Sequence, residues 1–394
     1  MTAAGLESAA LFAAAEAVFT NRWPRAGTLL GSARFKSRTA DFKVCERPLP
    51  ATTTNRSDSD GAAQRLLCIR KSGINTLFVA QLLARWASVS LVEVGYAGRK
   101  DRHAETEQWF SVPDHAVVRA LLHGPAFVEF AQAHLGDDES LVVVQQAWQP
   151  RKLRIGELQG NDFELVLRDV TVAGDDVSAQ LERGLQALLA RGAPNYFGPQ
   201  RFGHDNLDQA LRWLTAQLDP GQRSQKGRRR RGRASGSRGA EGGWQRSTLR
   251  SYLFNQVLAA RVSAGTYNQC GAGDVPATVT TPRRSPTPRR SPTGPMWGRG
   301  RSASTGAALE IERAALAPYA GICDGLEYSG LAQQRRALCV WPERLQWHYQ
   351  DGCIALQFGL PAGAYASVVV AELFALTDAS LDLTVPGLAL GAAP

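Results

Sequence analysis

The clearest polar and apolar alternation in the chain starts at Asn161. Phe163, Leu165 and Leu167 fall on one side, while Asp162, Glu164 and Arg168 fall on the other. That period of two predicts a half-buried strand, with Asn161 sharing the face of Phe163. A helical period governs Thr76 to Ala87, where Phe78, Leu82 and Trp86 recur every fourth residue and Val79 and Leu83 widen the stripe. Asn75 or Thr76 is placed to cap it. Further helices are predicted at Ala116–Leu122 behind Asp114, at Leu181–Ala190 ahead of Gly192 and Pro194, at Asn206–Leu218, at Leu249–Val262 and near Val368–Leu376. Short apolar runs predict strands around Leu29–Leu30, Asp41–Val44, Leu66–Arg70, Gln108–Val112, Leu141–Gln145, Cys339–His348 and Ile354–Phe358. Residues 50–62 read as a loop, and Met1–Phe19 as a short Ala-rich helix without the basic start of a signal peptide.

Composition changes this picture in two places. The chain has 394 residues and a formal net charge of +9. Residues 221–242 supply +7 of it and residues 281–301 supply +6, so the remainder is near −4. These basic segments suit a polyanion. The segments 221–242 and 275–294, the latter with Pro-Arg-Arg-Ser-Pro twice, are too poor in large apolar residues for a core and are expected to be disordered. The six cysteines are scattered without a Cys-x-x-Cys, which suggests neither a zinc site nor a disulfide framework and suits a reducing cytoplasm. No apolar run is long enough to span a membrane.

The densest chemistry lies between Gly95 and Val112, where seven of eighteen side chains are charged or imidazole. Asp101 stands between Lys100 and Arg102, with Arg99 beside them. Neighbouring cations favour an ionised carboxylate, as a nucleophile or base at neutral pH requires. By clustering alone, a solvated turn with local ion pairs is the favoured explanation. His103-Ala104-Glu105 matches half of a zinc deaminase signature, but its Pro-Cys-x-x-Cys half is missing.

The order Ala97-Gly98-Arg99-Lys100-Asp101, followed by Ala104, Thr106, Gln108 and Ser111-Val112, resembles the catalytic signature of the TruD family of tRNA pseudouridine synthases. Asn195 to Gly203 and Arg250-Ser251-Tyr252-Leu253-Phe254-Asn255 resemble the same family, and the likeness runs from about Leu29 to Leu376. The resemblance implies an α+β fold. A pseudouridine synthase catalytic domain with a mixed β-sheet (1–191 and 339–394) would be interrupted by an α/β insertion domain (192–338). It also implies isomerisation of uridine to pseudouridine in tRNA, at position 13. It places the essential nucleophile on Asp101 and base-pocket roles on Phe42, Asn161, Phe163 and Tyr365, the last where the family has Phe. Tyr keeps the stacking face and adds a hydroxyl.

By pattern alone Phe42 and Phe163 also read as core and Asn161 as a turn residue. Lys36 and Lys100 could meet phosphates or steady Asp101, although Lys36 alone reads as solvated surface. Asn195–Gly203 reads as architectural, with Arg201 a further RNA contact. The expectations are therefore a cytoplasmic, monomeric enzyme with tRNA as partner, no cofactor, no metal and no membrane. The alternative from another class is a non-catalytic RNA-binding protein or RNA chaperone on the same fold.

Overall fold

The computed structural model describes residues 23–49, 63–174, 176–202, 206–218, 238–279 and 289–380. The expected helix at Met1–Phe19, the loop at 50–62, and most of the basic segment 221–242 lie outside the described residues. The chain forms two compact units. Among the described residues, one draws on the spans 29–183, 342–363 and 374–380, the other on 23–28, 184–341 and 364–373.

The first unit opens with β1 (Gly31–Phe35), β2 (Phe42–Arg47), β3 (Gln64–Ser72), helix α1 (Thr76–Ala87), β4 (Gly95–Tyr96) and β5 (Glu105–Pro113). Helices α2 (Asp114–His123) and α3 (Phe127–Gln132) precede β6 (Ser140–Gln149) and β7 (Gly160–Val172). Next come α4 (Val177–Arg191), β8 (Ala193–Pro194), α5 (Asn206–Leu218), α6 (Arg238–Ser263), β9 (Pro276–Val279) and β10 (Arg289–Met296). They are followed by α7 (Gly306–Leu316), α8 (Ala320–Tyr328), β11 (Gln334–Ala337) and β12 (Cys339–Val340). The last described elements are β13 (Glu343–Gln350), β14 (Cys353–Pro361), α9 (Ala366–Ala371) and β15 (Phe374–Asp378).

Among the described residues the first unit holds a ten-stranded sheet with the order β13-β14-β7-β2-β5-β3-β6. Strand β1 pairs with both β15 and β7, and β4 with β5. The β2–β5 and β1–β15 pairs are parallel and the others antiparallel, so the sheet is mixed as expected. Register places Val44 opposite Phe163, Glu46 opposite Asn161, and Phe358 opposite Phe163. Val44 also aligns with Thr106, and Lys71 with Thr106. Because side chains two apart share a face, Phe42, Glu46, Lys71, Thr106, Gln108, Asn161, Phe163 and Phe358 all lie on one side of the sheet.

Helix α1 covers the neighbouring part of that face. Its Val79, Leu82, Leu83 and Trp86 pack into a core with Leu67, Ile69, Phe110 and Val112. Asn75 is its cap, the side chain accepting a hydrogen bond from the Phe78 amide at 2.8 Å. Ser88 closes it in the left-handed region, at φ 52°. A second cluster, with Leu66, Cys68, Trp109 and Ala147, occupies the opposite face.

Three expectations fail here. Part of the segment expected to be disordered is ordered: β9 and β10 pair with each other, and β10 pairs with β11. Residues 238–242 likewise begin α6. In β10 Ser291 to Pro295 are buried. Ser291 Oγ accepts from the Cys339 amide at 3.0 Å, and Thr293 Oγ1 donates to the Val275 carbonyl at 2.6 Å. Small side chains can be buried when their polar groups are satisfied, which a count of large apolar residues does not register. The expected helix to Leu376 stops at Ala371, because Phe374–Asp378 pairs with β1 instead. The strand expected at Leu29–Leu30 begins at Gly31.

Removing the α1 cap tests the local account. Asn75→Ala should cost about 0.5–2 kcal/mol of stability, read as a lower urea midpoint.

Candidate active site

Asp101 lies in the loop between β4 and β5. Its carboxylate is paired with the ammonium of Lys36, and its other oxygen accepts from the His103 amide at 3.1 Å. Lys36 follows β1 directly and adopts φ 58°, a left-handed conformation uncommon outside glycine and asparagine. Its ammonium sits 4.9 Å from the Phe42 ring centroid and 5.4 Å from that of Phe35. Lys36 is only 4% exposed, so the expected solvated lysine is wrong. An ammonium with an aromatic wall and one carboxylate partner can remain inside. Burial alone would push the Asp101 pKa up; the charge and hydrogen bond of Lys36, with the His103 amide, outweigh it and hold the carboxyl below its usual range.

The lysine adjacent in sequence goes elsewhere. Lys100 Nζ lies 2.9 Å from a Glu46 carboxylate oxygen and donates to Asn161 Oδ1 at 2.6 Å. Arg102 turns to the Gly73 carbonyl at 2.7 Å and to Glu139 at 3.2 Å. The expectation that Lys100 and Arg102 flank the carboxylate is thus corrected. Consecutive side chains diverge from a turning backbone, and the cation that meets Asp101 comes from 65 residues away.

Phe42 is buried, edge-on to Phe35 at 5.2 Å and to Phe163 at 6.2 Å; Phe163 stacks on Phe358 at 5.6 Å. Strands β2, β7 and β14 thus build an aromatic row beside the Lys36–Asp101 pair. The sheet brings Lys36, Phe42, Lys100, Asp101, Asn161 and Phe163 together through these contacts. Tyr365 belongs to the other unit. There it is edge-on to Phe197 at 6.1 Å, and Arg336 lies 4.2 Å from the Phe197 centroid. Burial pushes the Tyr365 hydroxyl pKa up, against the charges of Arg201 and Arg336. In the same unit the Asn195 and Arg250 motifs dock: Asn255 accepts from the Phe197 amide at 2.9 Å and donates to its carbonyl at 3.0 Å. Arg201 donates to Ser247 and Ser251 there. Gly203 lies outside the described residues.

Four residues were not among the expected site residues: Glu46, Lys71, Thr76, read only as a possible helix cap, and Gln108, read only as part of the motif. Glu46 and Lys71 each occupy the apolar phase of a strand, which is the signal that could have found them. Lys71 is 1% exposed and donates to the Ile74 carbonyl at 2.6 Å. Burial lowers its pKa from 10.5 to about 8, opposed by the Asp101 charge and assisted by Lys100. Among the described residues no group of three or more histidine, cysteine or acidic side chains could hold a metal ion. No described helix is long and apolar enough to cross a membrane, and all six cysteines are free.

The family model for tRNA pseudouridine synthase D (TruD) matches residues 28–210, a span containing Lys36, Phe42, Asp101, Asn161 and Phe163. A tRNA pseudouridine synthase D from Marinobacter nauticus is 36% identical over 379 residues, covering 91% of this chain and 96% of the relative. One from Xanthomonas axonopodis pv. citri is 38% identical over 380 residues, with the same coverage. One from Aeromonas salmonicida is 39% identical over 326 residues, covering 79% of this chain and 83% of the relative.

The chain belongs to the TruD family.

A crystal structure from Methanosarcina mazei assigned to TruD superposes with a TM-score of 0.56 at 18% identity, covering 89% of this chain and 95% of that one. At that identity it speaks for the fold alone. It agrees with the α+β reading: a TruD chain with a mixed sheet in one unit and mostly helices with short strands in the other.

Two substitutions test the electrostatics. In Lys36→Met the Asp101 carboxyl stays buried without its cation, so carbon-13 NMR should find its pKa above the parent value. For Lys71, a folded pKa lowered to about 8 from 10.5 means that the unfolded chain binds more protons between those values. Its contribution to stability therefore rises with pH through that window. Lys71→Met should remove that rise, giving a shallower slope of Tm against pH from about 8 upward.

Proposed function

We propose that this chain isomerises uridine to pseudouridine in tRNA, with position 13 as the target and Asp101 as the catalytic carboxylate. The observation that carries the reading is a partly buried carboxylate kept ionised by Lys36 beside an aromatic row. The reaction breaks the bond from N1 to C1′, turns the base and joins C5 to C1′; the C5 proton is released and N1 takes up a proton, so that substrate and product are isomers. Attack on a carbon and proton removal both need the ionised carboxylate.

A uridine must leave its stack to reach such a group. Phe42 and Phe163 are proposed to shape the pocket for the detached base, where base–aromatic stacking is worth roughly 1–3 kcal/mol. Asn161, held at its oxygen by Lys100, has its amide NH₂ left to donate to a base carbonyl. Lys36 neutralises Asp101 against the polyanionic substrate. A protein that only bound RNA would gain nothing from a carboxylate at this point, since it repels phosphate. The sheet unit is proposed as the catalytic domain and the helix-rich unit as the insertion.

Asp101→Asn tests this directly. The amide is nearly isosteric but neither nucleophile nor base. Tritium release from tRNA labelled at uridine C5 should vanish, while tRNA affinity stays within a few fold of the parent. Retained turnover would remove Asp101 from its role, and an inactive parent would remove the reaction. A tRNA lacking uridine at position 13 should release no tritium.

A further inference from the structure

We propose that Thr76 and Gln108 are positioning residues that fix the backbone on which Asp101 is carried. The inference rests on the reading of Asp101 as the catalytic carboxylate. Asp101 belongs to a loop with no strand pairing of its own between Ala97 and Ala104. A loop carrying a reacting group needs another means of being held, because a displacement of about 1 Å can cost about a hundredfold in rate.

Two buried side chains supply it. Thr76, 1% exposed, accepts from the Lys100 amide at 2.8 Å and donates to Gln108 Oε1 at 2.9 Å. Gln108, fully buried, donates through Nε2 to the Gly98 carbonyl. The direction of this chain is forced. The Gly98 carbonyl can only accept, so the Gln108 NH₂ must face it and the Gln108 oxygen must face Thr76, whose hydroxyl proton therefore goes to Gln108 while a lone pair takes the Lys100 amide. The relay therefore clamps the carbonyl and the amide on either side of Arg99, immediately before Asp101.

The residue after Asp101 is tied to the same place. Arg102 Nε donates to the carbonyl of Gly73, in the turn that leads to Thr76. Lys71 donates to Ile74 in that turn, and Gly73 there has φ 76°, open to glycine without strain. Both sequence neighbours of Asp101 are thus anchored within the stretch Gly73–Thr76, the turn after β3 and the first residue of α1. Neither Thr76 nor Gln108 needs to touch the uridine to matter for the rate.

The test compares Thr76→Val, which keeps the shape and loses the hydroxyl, with Thr76→Ser, which keeps the hydroxyl. Single-turnover rate at saturating tRNA should fall about tenfold or more in Thr76→Val and recover to within about threefold of the parent in Thr76→Ser. The Kd for tRNA should stay within about threefold in both. Thr76→Val combined with Gln108→Met should be no slower than the slower single variant, because the two act as one relay.

Amide hydrogen exchange at Lys100 should quicken in Thr76→Val and be restored in Thr76→Ser. This readout does not depend on turnover, so an inactive parent would overturn the reaction while leaving the clamp measurable. A folded Thr76→Val with the parent rate would overturn the proposal. So would a Thr76→Ser as slow as Thr76→Val, which would assign the effect to methyl packing. If Thr76→Val does not fold, Gln108→Met alone answers the same question: a parent-like rate there overturns the relay.

Discussion

Everything at this site depends on keeping one ammonium and one carboxylate together where water is scarce. Either charge left alone in the sheet would be costly, and removing one partner of a buried pair is more damaging than never having built it. The pair can form only if the end of β1 and the loop before β5 arrive at the same point. Lys36 takes a left-handed backbone conformation in doing so, and its stem and head lie against Phe35 and Phe42. The sheet order, with β2 beside both β5 and β7, is what sets that meeting place.

The pleat of the sheet distributes the remaining chemistry. Glu46 faces Asn161 across the β2–β7 pair, and Lys100 reaches both. A second buried cation is thereby compensated without competing for Asp101. Lys71, two strands away, is a third buried lysine, and its hydrogen bond goes to a neutral carbonyl. Burial lowers its pKa to about 8 even though the field of Asp101 works to raise it, whereas Asp101 itself is held down by Lys36 and the His103 amide. The site is therefore an electrostatic unit of three lysines and two carboxylates, drawn from β2, β3, the residue that follows β1 and the loop before β5.

The helix-rich unit illustrates a different physical point. An Arg-Arg-Ser-Pro-Thr-Gly-Pro run looks unable to fold, yet its ordered part is a central strand of a small sheet. Its side chains contribute little apolar area. What holds it is pairing with β9 and β11, the hydrogen bonds of Ser291 and Thr293, and the fit of Leu338 and Phe254 against Gly294, where a Cβ would come within 2.8 Å and 3.2 Å of them. Composition measures the side chains a segment brings, not the cavity it fills.

By itself the sequence determined the periodic elements, since the phase of Phe163, Leu165 and Leu167 and the stripe of Phe78, Leu82 and Trp86 are local properties. It also singled out Asp101, Phe42, Asn161 and Phe163, because the motif around Gly95–Val112 and its companions carry a family's pattern. Tertiary structure alone decided which charges meet. Lys100 is the nearest lysine along the chain but turns to Glu46 and Asn161, whereas Lys36 reads as surface and becomes the partner of Asp101. It also decided that Leu373 to Leu376 leave the helix, because a free edge of β1 offered Phe374–Asp378 a ladder. Covalent neighbours constrain period and turn; the pairing of distant strands sets the distances between charges, and no local pattern encodes those.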